Sequence, residues 1–179
     1  FEGGVRVPFI VRWPGHATAG LKDDATVLTA VDLLPTFCAI AGITPPEEVD
    51  GENLQSAFKA ESPRRTRPIF WRINGNKKDT DFWPDLAVRD GDWKLVTTVD
   101  GKRVELHNLK SNRAEDGAKD QSKDHPEIVA RLTKQALDWN ATLPTKADPS
   151  CLAEPPESEP KKLPEKAAPK SEAPAKDRS

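Results

Sequence analysis

Residues 1–15 read FEGGVRVPFIVRWPG, and the interpretation of the whole chain starts from this stretch. Its apolar side chains recur at every second position, which predicts a β-strand; they are Val5, Val7, Phe9, Val11 and Trp13. Ile10 lies on the opposite face, so the strand is expected to be buried on much of both sides. Because such a strand needs neighbours along both edges, we expect the rest of its sheet to be encoded upstream.

A helix is predicted to begin near Asp32 and to end at Gly42. Asp32 is a favourable N-cap, and Pro35 falls in the first turn, where its missing N–H costs little. Gly42 is typical of the residue that ends a helix, and Pro45 and Pro46 exclude its continuation. The predicted apolar face carries Leu33, Leu34, Phe37, Cys38 and Ala41.

The second half of the chain changes to short strands. Strands are predicted over 68–73, 86–89, 93–99 and 102–106, with a polar loop over 74–82. Asp90-Gly91 and Asp100-Gly101 are two-residue hairpin signals, and both predict type I′ turns. The consecutive hairpins predict a four-stranded antiparallel meander. A final helix is predicted to begin at Asp124 or His125 and to end by Pro144. Its apolar stripe should pack on the open face of the sheet: Ile128, Leu132, Ala136 and Trp139.

Three regions follow from these patterns. Residues 1–67 are interpreted as the end of a large α/β domain and residues 68–145 as a small α+β subdomain. The polar run 61–67 forms the boundary, and its arginines at 64, 65 and 67 are interpreted as solvated, with anion binding as the alternative. Residues 146–179 contain seven prolines and no aromatic residue, which predicts a disordered tail.

The composition narrows the class of protein. The net charge is −2, so an extended nucleic-acid-binding surface is not expected. No run approaches the roughly 20 apolar residues that span a bilayer. Only two cysteines are present, Cys38 and Cys151, and neither lies in a pair or a Cys/His cluster typical of zinc sites. The histidines at 16, 107 and 125 have no metal-binding spacing, and packing is the expected role of His107.

Four motifs occur in a characteristic order: EGG-x-R-x-P at 2–8, W-P-G at 13–15, D-L-L-P-T at 32–36 and D-G at 50–51. In this order they resemble the C-terminal third of formylglycine-dependent sulfatases of the arylsulfatase family. LAVRDGDWKLV at 86–96 and ELHNLKSN at 105–112 are similar to the small C-terminal sheet of that family. The resemblance covers residues 1–143 and implies the C-terminal portion of an alkaline-phosphatase-like α/β fold.

The resemblance also implies an activity, the hydrolysis of sulfate esters of carbohydrates or aryl alcohols. In the family, a cysteine within C-x-P-S-R becomes the formylglycine nucleophile, and calcium polarises the sulfate. Ala39 follows Cys38 and Leu152 follows Cys151, so neither cysteine fits that motif. We therefore predict no catalytic and no metal-binding residue in this chain. Calcium and formylglycine are expected only in a complete enzyme, whose N-terminal part would be the partner of this chain.

Further implications of the resemblance concern substrate and location. The small sheet of the family lies beside the active-site mouth, so Trp71 and Trp83, near the ends of the 74–82 loop, are candidate substrate-rim residues; core packing is the alternative. WNATLP at 139–144, followed by residues 148–151, is similar to the group acting on N-acetylgalactosamine-6-sulfate. The family implies a periplasmic, extracellular or lysosomal protein. The alternative function is a non-catalytic binding or structural module derived from a sulfatase scaffold.

Overall fold

The computed structural model describes residues 1–73 and 83–145. Residues Phe1–Leu143 form one compact unit. Its helices are α1 (Glu2–Val5), α2 (Leu33–Ala41) and α3 (Pro126–Thr142), and its strands are β1 (Ile69–Arg72), β2 (Leu86–Asp90), β3 (Trp93–Thr97) and β4 (Val104–Asn108). Short 3₁₀ helices lie at Ala30–Asp32, Gln55–Lys59 and Gly117–Lys119. The predicted loop 74–82 and the predicted tail 146–179 lie outside the described residues.

The four strands form one antiparallel sheet in the order β1-β2-β3-β4, which confirms the predicted meander. In the register, Phe70 lies opposite Val88, Val88 opposite Leu95, and Leu95 opposite Leu106. The β2–β3 turn differs from the prediction, because Asp90 pairs with Trp93 and only Gly91 of the two turn residues has a positive φ, 60°. A type I′ turn requires positive φ at both positions, so this turn is of another type. The prediction is also wrong at Asp100-Gly101, where Gly101 has φ 71° and Asp100 has no positive φ.

Helix α3 packs across one face of this sheet, as its apolar stripe predicts. Leu132 and Ala136 are completely buried against three equally buried strand residues, Val88, Leu95 and Leu106. Burial of each large side chain stabilises the fold by roughly 1.5–3 kcal/mol. The stacked rings of Phe70 and Trp139, 5.1 Å apart, extend this core to the end of the helix.

The strand predicted over residues 5–13 is absent from the structure. Glu2–Val5 form a single helical turn, and residues 6–13 have no regular secondary structure. Ile10 is 89% exposed and Val7 75% exposed. The physical reason is the lack of a partner, because no strand among the described residues pairs with this segment and an isolated strand cannot satisfy its backbone groups.

Helix α2 has the predicted bounds, and Gly42 ends it in the left-handed region at φ 68°. Its orientation differs from the prediction, because Leu34 and Phe37 are more than half exposed, whereas Thr36 is completely buried. The Thr36 hydroxyl accepts a hydrogen bond from the Leu54 N–H at 3.0 Å. The side of α2 that the described residues cover therefore carries Pro35 and Thr36 rather than the predicted apolar face.

Gly51, in the Asp-Gly motif at 50–51, lies directly against the segment that leads into α2. A Cβ atom added at Gly51 would overlap the backbone carbonyl of Val31 and lie 2.8 Å from the Cα atom of Asp32. Only glycine permits this close approach of two backbone segments. The sequence marks Gly51 only as part of the D-G motif, and the structure gives the steric reason for a glycine there.

We expect Gly51→Ala to destabilise the fold by about 3 kcal/mol or more, because the obstructing atoms belong to the backbone and cannot rotate away. The matched control is Gly4→Ala, since a Cβ atom at Gly4 meets nothing within 4 Å. That control should change the free energy of unfolding by less than about 1 kcal/mol. Urea denaturation followed by circular dichroism measures both values, and equal stability of the two variants would contradict the prediction.

Candidate functional site

A buried group of charged side chains lies on the sheet face opposite α3. Lys94 of β3 is 1% exposed, and its Nζ lies 3.1 Å from Oε1 of Glu2 and 3.0 Å from Oε1 of Glu115. Arg89 of β2 lies beside them, with its Nη1 3.6 Å from Oε2 of Glu2. We call these four residues the Lys94 ion network. Its two cations and two carboxylates balance, which is the condition under which charges tolerate burial.

The Lys94 ion network joins three segments that are distant in the sequence. Glu2 comes from α1, Lys94 and Arg89 come from the sheet, and Glu115 comes from the loop after β4. The backbone N–H of Glu2 also donates a hydrogen bond to the Glu115 carboxylate. Glu115 adopts a left-handed backbone conformation with φ 53°, which is uncommon for a residue with a side chain. Burial lowers the pKa of the Arg89 guanidinium, and the carboxylate of Glu2 partly offsets this effect.

Trp71 and Trp83, the two candidate rim residues, have different surroundings. Trp71 is half-buried in β1, and the Nζ atom of Lys94 lies 5.2 Å from its ring centroid. Trp83 is also half-buried, and the guanidinium of Arg103 lies 4.1 Å from its ring centroid. The Arg103 side chain is 59% exposed. The structure therefore places Trp71 beside the buried charges and Trp83 in an accessible cation–aromatic pair.

His107 lies inside the fold, as expected for a packed histidine. It is completely buried, and the side-chain amide of Asn112 donates to its Nδ1 at 3.2 Å. This amide also donates to the carbonyl of Asp116, so Nδ1 of His107 is the acceptor and Nε2 carries the proton. Nε2 points towards Glu105, whose Oε2 is 3.5 Å away. His16 stacks on Trp13, whereas His125 meets Trp93 edge to face at an interplanar angle of 62°.

Asp32 and Arg65 form a second buried pair, which the sequence interpretation missed. Nη1 of Arg65 lies 2.5 Å from Oδ1 of Asp32, and both side chains are less than one-tenth exposed. Asp32 also accepts hydrogen bonds from the N–H groups of Thr29 and Glu52. Asp32 is thus a tertiary acceptor and makes no side-chain cap to α2. Arg65 is buried rather than solvated.

Arg65 lines a cleft of about 260 Å³, which we call the Arg65 cleft. Its wall includes Val31, Asp50, Arg67, Phe70 and Trp139. Glu52, which lies next to this region, accepts hydrogen bonds from Thr66 and from the N–H of Arg67. Burial raises the pKa of the Glu52 carboxyl, but the bonds from Thr66 and Arg67 outweigh it and the pKa is lowered overall.

The described residues contain no group of three or more His, Cys, Asp or Glu side chains that could hold a metal ion. Within residues 1–73 and 83–145, the side chains therefore do not fit the calcium site that the sulfatase resemblance implies, because calcium requires six to eight oxygen ligands. The chain also lacks the C-x-P-S-R motif.

The family model for the C-terminal region of N-sulphoglucosamine sulphohydrolase matches residues 1–142. The chain belongs to this family. Membership confirms the resemblance to sulfatases and the predicted fold class, the C-terminal portion of the sulfatase α/β fold with a small antiparallel sheet and a packed helix.

Individual sulfatases are similar to this chain over part of the chain's length. A sulfatase from Formosa agariphila is 31% identical over 126 residues, which are 64% of this chain and 23% of the relative. Human N-acetylgalactosamine-6-sulfatase is 41% identical over 73 residues, 40% of this chain and 14% of the relative. A solved structure of a putative sulfatase from Bacteroides thetaiotaomicron is 26% identical, with a TM-score of 0.42, covering 67% of this chain and 27% of the other. The chain thus spans less than a quarter of the length of these two curated relatives.

The family motifs contain residues whose role the sequence interpretation missed. Glu2 was recognised only as a member of the EGG-x-R-x-P motif, yet its carboxylate binds Lys94. The sequence offers one signal that Lys94 is buried. On its strand Lys94 shares a face with Val96, and a lysine beside an inward-facing valine needs a buried carboxylate as its partner. No local signal identifies Glu115 as that partner.

We expect Lys94→Ala to destabilise the protein by about 3–5 kcal/mol, because it leaves two buried carboxylates without their shared cation. Lys134→Ala is the matched control, since Lys134 forms an exposed ion pair with Asp138 on α3. Loss of an exposed pair costs less than about 1 kcal/mol. Urea denaturation measures both variants. A Lys94 variant as stable as the control would show that the network contributes nothing.

Proposed function

We propose that this chain is the C-terminal portion of a sulfatase that hydrolyses sulfate esters of a carbohydrate or an aryl alcohol. The observation that carries this proposal is the family match over residues 1–142. The names of the relatives support the same class of substrate, since they include an N-acetylgalactosamine-6-sulfatase and an arylsulfatase A. The nucleophile and the calcium ligands would then belong to a preceding part of the same protein.

The preceding part is also the proposed partner of the apolar segment 5–13. Within the described part of the chain, residues 7–12 make no backbone hydrogen bond, and their side chains include the two most exposed large apolar residues, Val7 and Ile10. A strand pairing would satisfy the backbone groups and bury both faces. On this proposal the period-two pattern describes the segment in the complete enzyme. The division at residue 67 would separate the large domain from the small subdomain.

The proposed contribution of this chain to substrate binding is a rim formed by Trp83 and Arg103. A guanidinium group binds the oxygens of a sulfate through paired N–H donors, and an indole ring packs against the apolar face of a sugar or an aryl group. Arg103 is accessible and is held over the indole of Trp83, so both groups are preoriented. Trp71 remains a candidate for the inner part of this rim, next to Lys94.

The sharpest test uses the complete gene product with aryl sulfate and sulfated monosaccharide substrates. We expect Arg103→Ala to raise KM by about threefold to tenfold with kcat unchanged, because it removes a binding contact of about 1 kcal/mol and no reacting group. Lys102→Ala is the matched control, since Lys102 is the adjacent cation and its side chain is 85% exposed. Steady-state kinetics with each substrate measures both parameters.

Two results would contradict the proposal in different ways. Equal kinetics of Arg103→Ala, Trp83→Ala and Lys102→Ala would exclude the rim while leaving the sulfatase assignment intact. A complete gene product that hydrolyses no sulfate ester would favour the second function, a binding or structural module built on a sulfatase scaffold. That alternative is favoured by the self-contained core between the sheet and α3, which needs no preceding segment to bury Leu95 and Leu132.

A further inference from the structure

One turn of the sheet holds both residues of the proposed rim. This turn, residues 97–103, joins β3 to β4, and we call it the rim turn. It closes at Arg103, whose carbonyl accepts the Thr98 N–H at 3.2 Å and the Thr97 hydroxyl at 2.9 Å. The Arg103 N–H donates to the hydroxyl oxygen of Thr98 at 3.2 Å. Both backbone groups of Arg103 are therefore fixed at the base of its side chain.

Asp100 orients the hydroxyl group of Thr98. The hydroxyl donates to Oδ1 of Asp100 at 2.6 Å, and the N–H of Lys102 donates to the same oxygen at 3.1 Å. The bond from Thr98, followed by those from Lys102, lowers the pKa of the Asp100 carboxyl to about 2, so the group is ionised at neutral pH. Because a hydroxyl carries one proton, only the lone pairs of Thr98 remain for the N–H of Arg103.

The rim turn also fixes the chain next to Trp83. The carboxylate of Asp85, two residues beyond Trp83, accepts the Val99 N–H at 3.0 Å. The Asp85 N–H donates to the carbonyl of Thr97 at 3.2 Å. The guanidinium of Arg103 lies 4.1 Å from the Trp83 ring centroid. One turn thus sets the relative positions of the cation and the aromatic ring.

The side chain of Arg103 has little else to hold it. Its Nη2 lies 3.9 Å from Oε1 of Glu105, which is too far for a hydrogen bond, and 59% of the side chain is exposed. An arginine that rotates freely loses side-chain entropy when a ligand orders it, and this loss weakens binding. The orientation of Arg103 therefore depends on the backbone that carries it and on the ring of Trp83.

From these contacts we propose that Thr98 and Asp100 are positioning residues of the substrate rim. They hold the backbone of Arg103 so that its guanidinium lies over Trp83 before a substrate arrives. Neither residue touches the substrate, so both act through Arg103. This role rests on the proposed function, because the group that Arg103 receives is the sulfate ester of the substrate.

The test uses the complete gene product with aryl sulfate and sulfated monosaccharide substrates. Thr98→Val keeps the β-branched shape but removes the hydroxyl, so the N–H of Arg103 loses its acceptor. We expect KM to rise about twofold to fivefold with kcat unchanged, because a binding contact is weakened and no reacting group is altered. Thr98→Ser keeps the hydroxyl and should restore KM. Thr44→Val is the matched control and should leave KM unchanged, since Thr44 is exposed in the loop after α2.

A double-mutant cycle separates positioning from general damage to the fold. If Thr98 acts through Arg103, Thr98→Val should raise KM no further in a protein that already carries Arg103→Ala. The indole N–H resonance of Trp83 in NMR spectra gives a readout without catalysis. It should shift in Thr98→Val and in Asp100→Ala but not in Thr44→Val. Thermal unfolding verifies that each variant is folded.

Each contrary result overturns a different statement. Positioning is overturned if Arg103→Ala raises KM while folded Thr98→Val changes neither KM nor the Trp83 resonance. It is also overturned if Thr98→Val raises KM by the same factor with and without Arg103. Unchanged kinetics of Arg103→Ala would overturn the rim and the positioning role together and leave the sulfatase assignment intact. A complete gene product that hydrolyses no sulfate ester would instead overturn the proposed function, and the positioning role with it.

Discussion

The packing of the sheet face opposite α3 depends on the ammonium group of Lys94. A lysine side chain inside a protein is stable only when carboxylates replace the water that it loses. Here those carboxylates come from residue 2 and residue 115, so the N-terminal turn and the loop after β4 must both be in place. The face against α3 is held by apolar burial, which is nondirectional. The opposite face is held by charges, which specify which segments lie there.

This division explains what could be predicted from the sequence. The strands, their order and α3 follow from local periodicity and from turn residues, and the structure has them within two residues of the predicted bounds, with Leu132 and Ala136 buried as expected. The Lys94 ion network and the Asp32–Arg65 pair could not be predicted, because their partners are distant in the sequence: Glu2 lies 92 positions from Lys94, and Asp32 lies 33 positions from Arg65. Charged side chains carry no periodic signal that identifies their partner. The prediction of a strand over 5–13 was wrong for the described residues. Periodicity shows that a segment could form a strand, but it does not show that another strand is present to pair with it.

The family motifs are structural in this part of the chain. Asp32 of the D-L-L-P-T motif accepts bonds from two backbone segments and from Arg65, and Gly51 of the D-G motif allows one of those segments to approach. Glu2 of the EGG motif binds Lys94. Glu2, Asp32 and Gly51 therefore each connect their own segment to a distant one. This is a reason for the motifs to occur together, since the pairs only form when both members are present.

The uncovered state of residues 7–12 affects how the molecule assembles. Their backbone groups make no hydrogen bond among the described residues, and most of their side chains are apolar. This segment can therefore pair with an exposed sheet edge, including the edge of another copy of the chain. On the proposed function, pairing of this segment with the preceding part competes with pairing between copies of the chain. The yield of assembled protein would then depend on which pairing forms first, and crowded expression conditions would lower it.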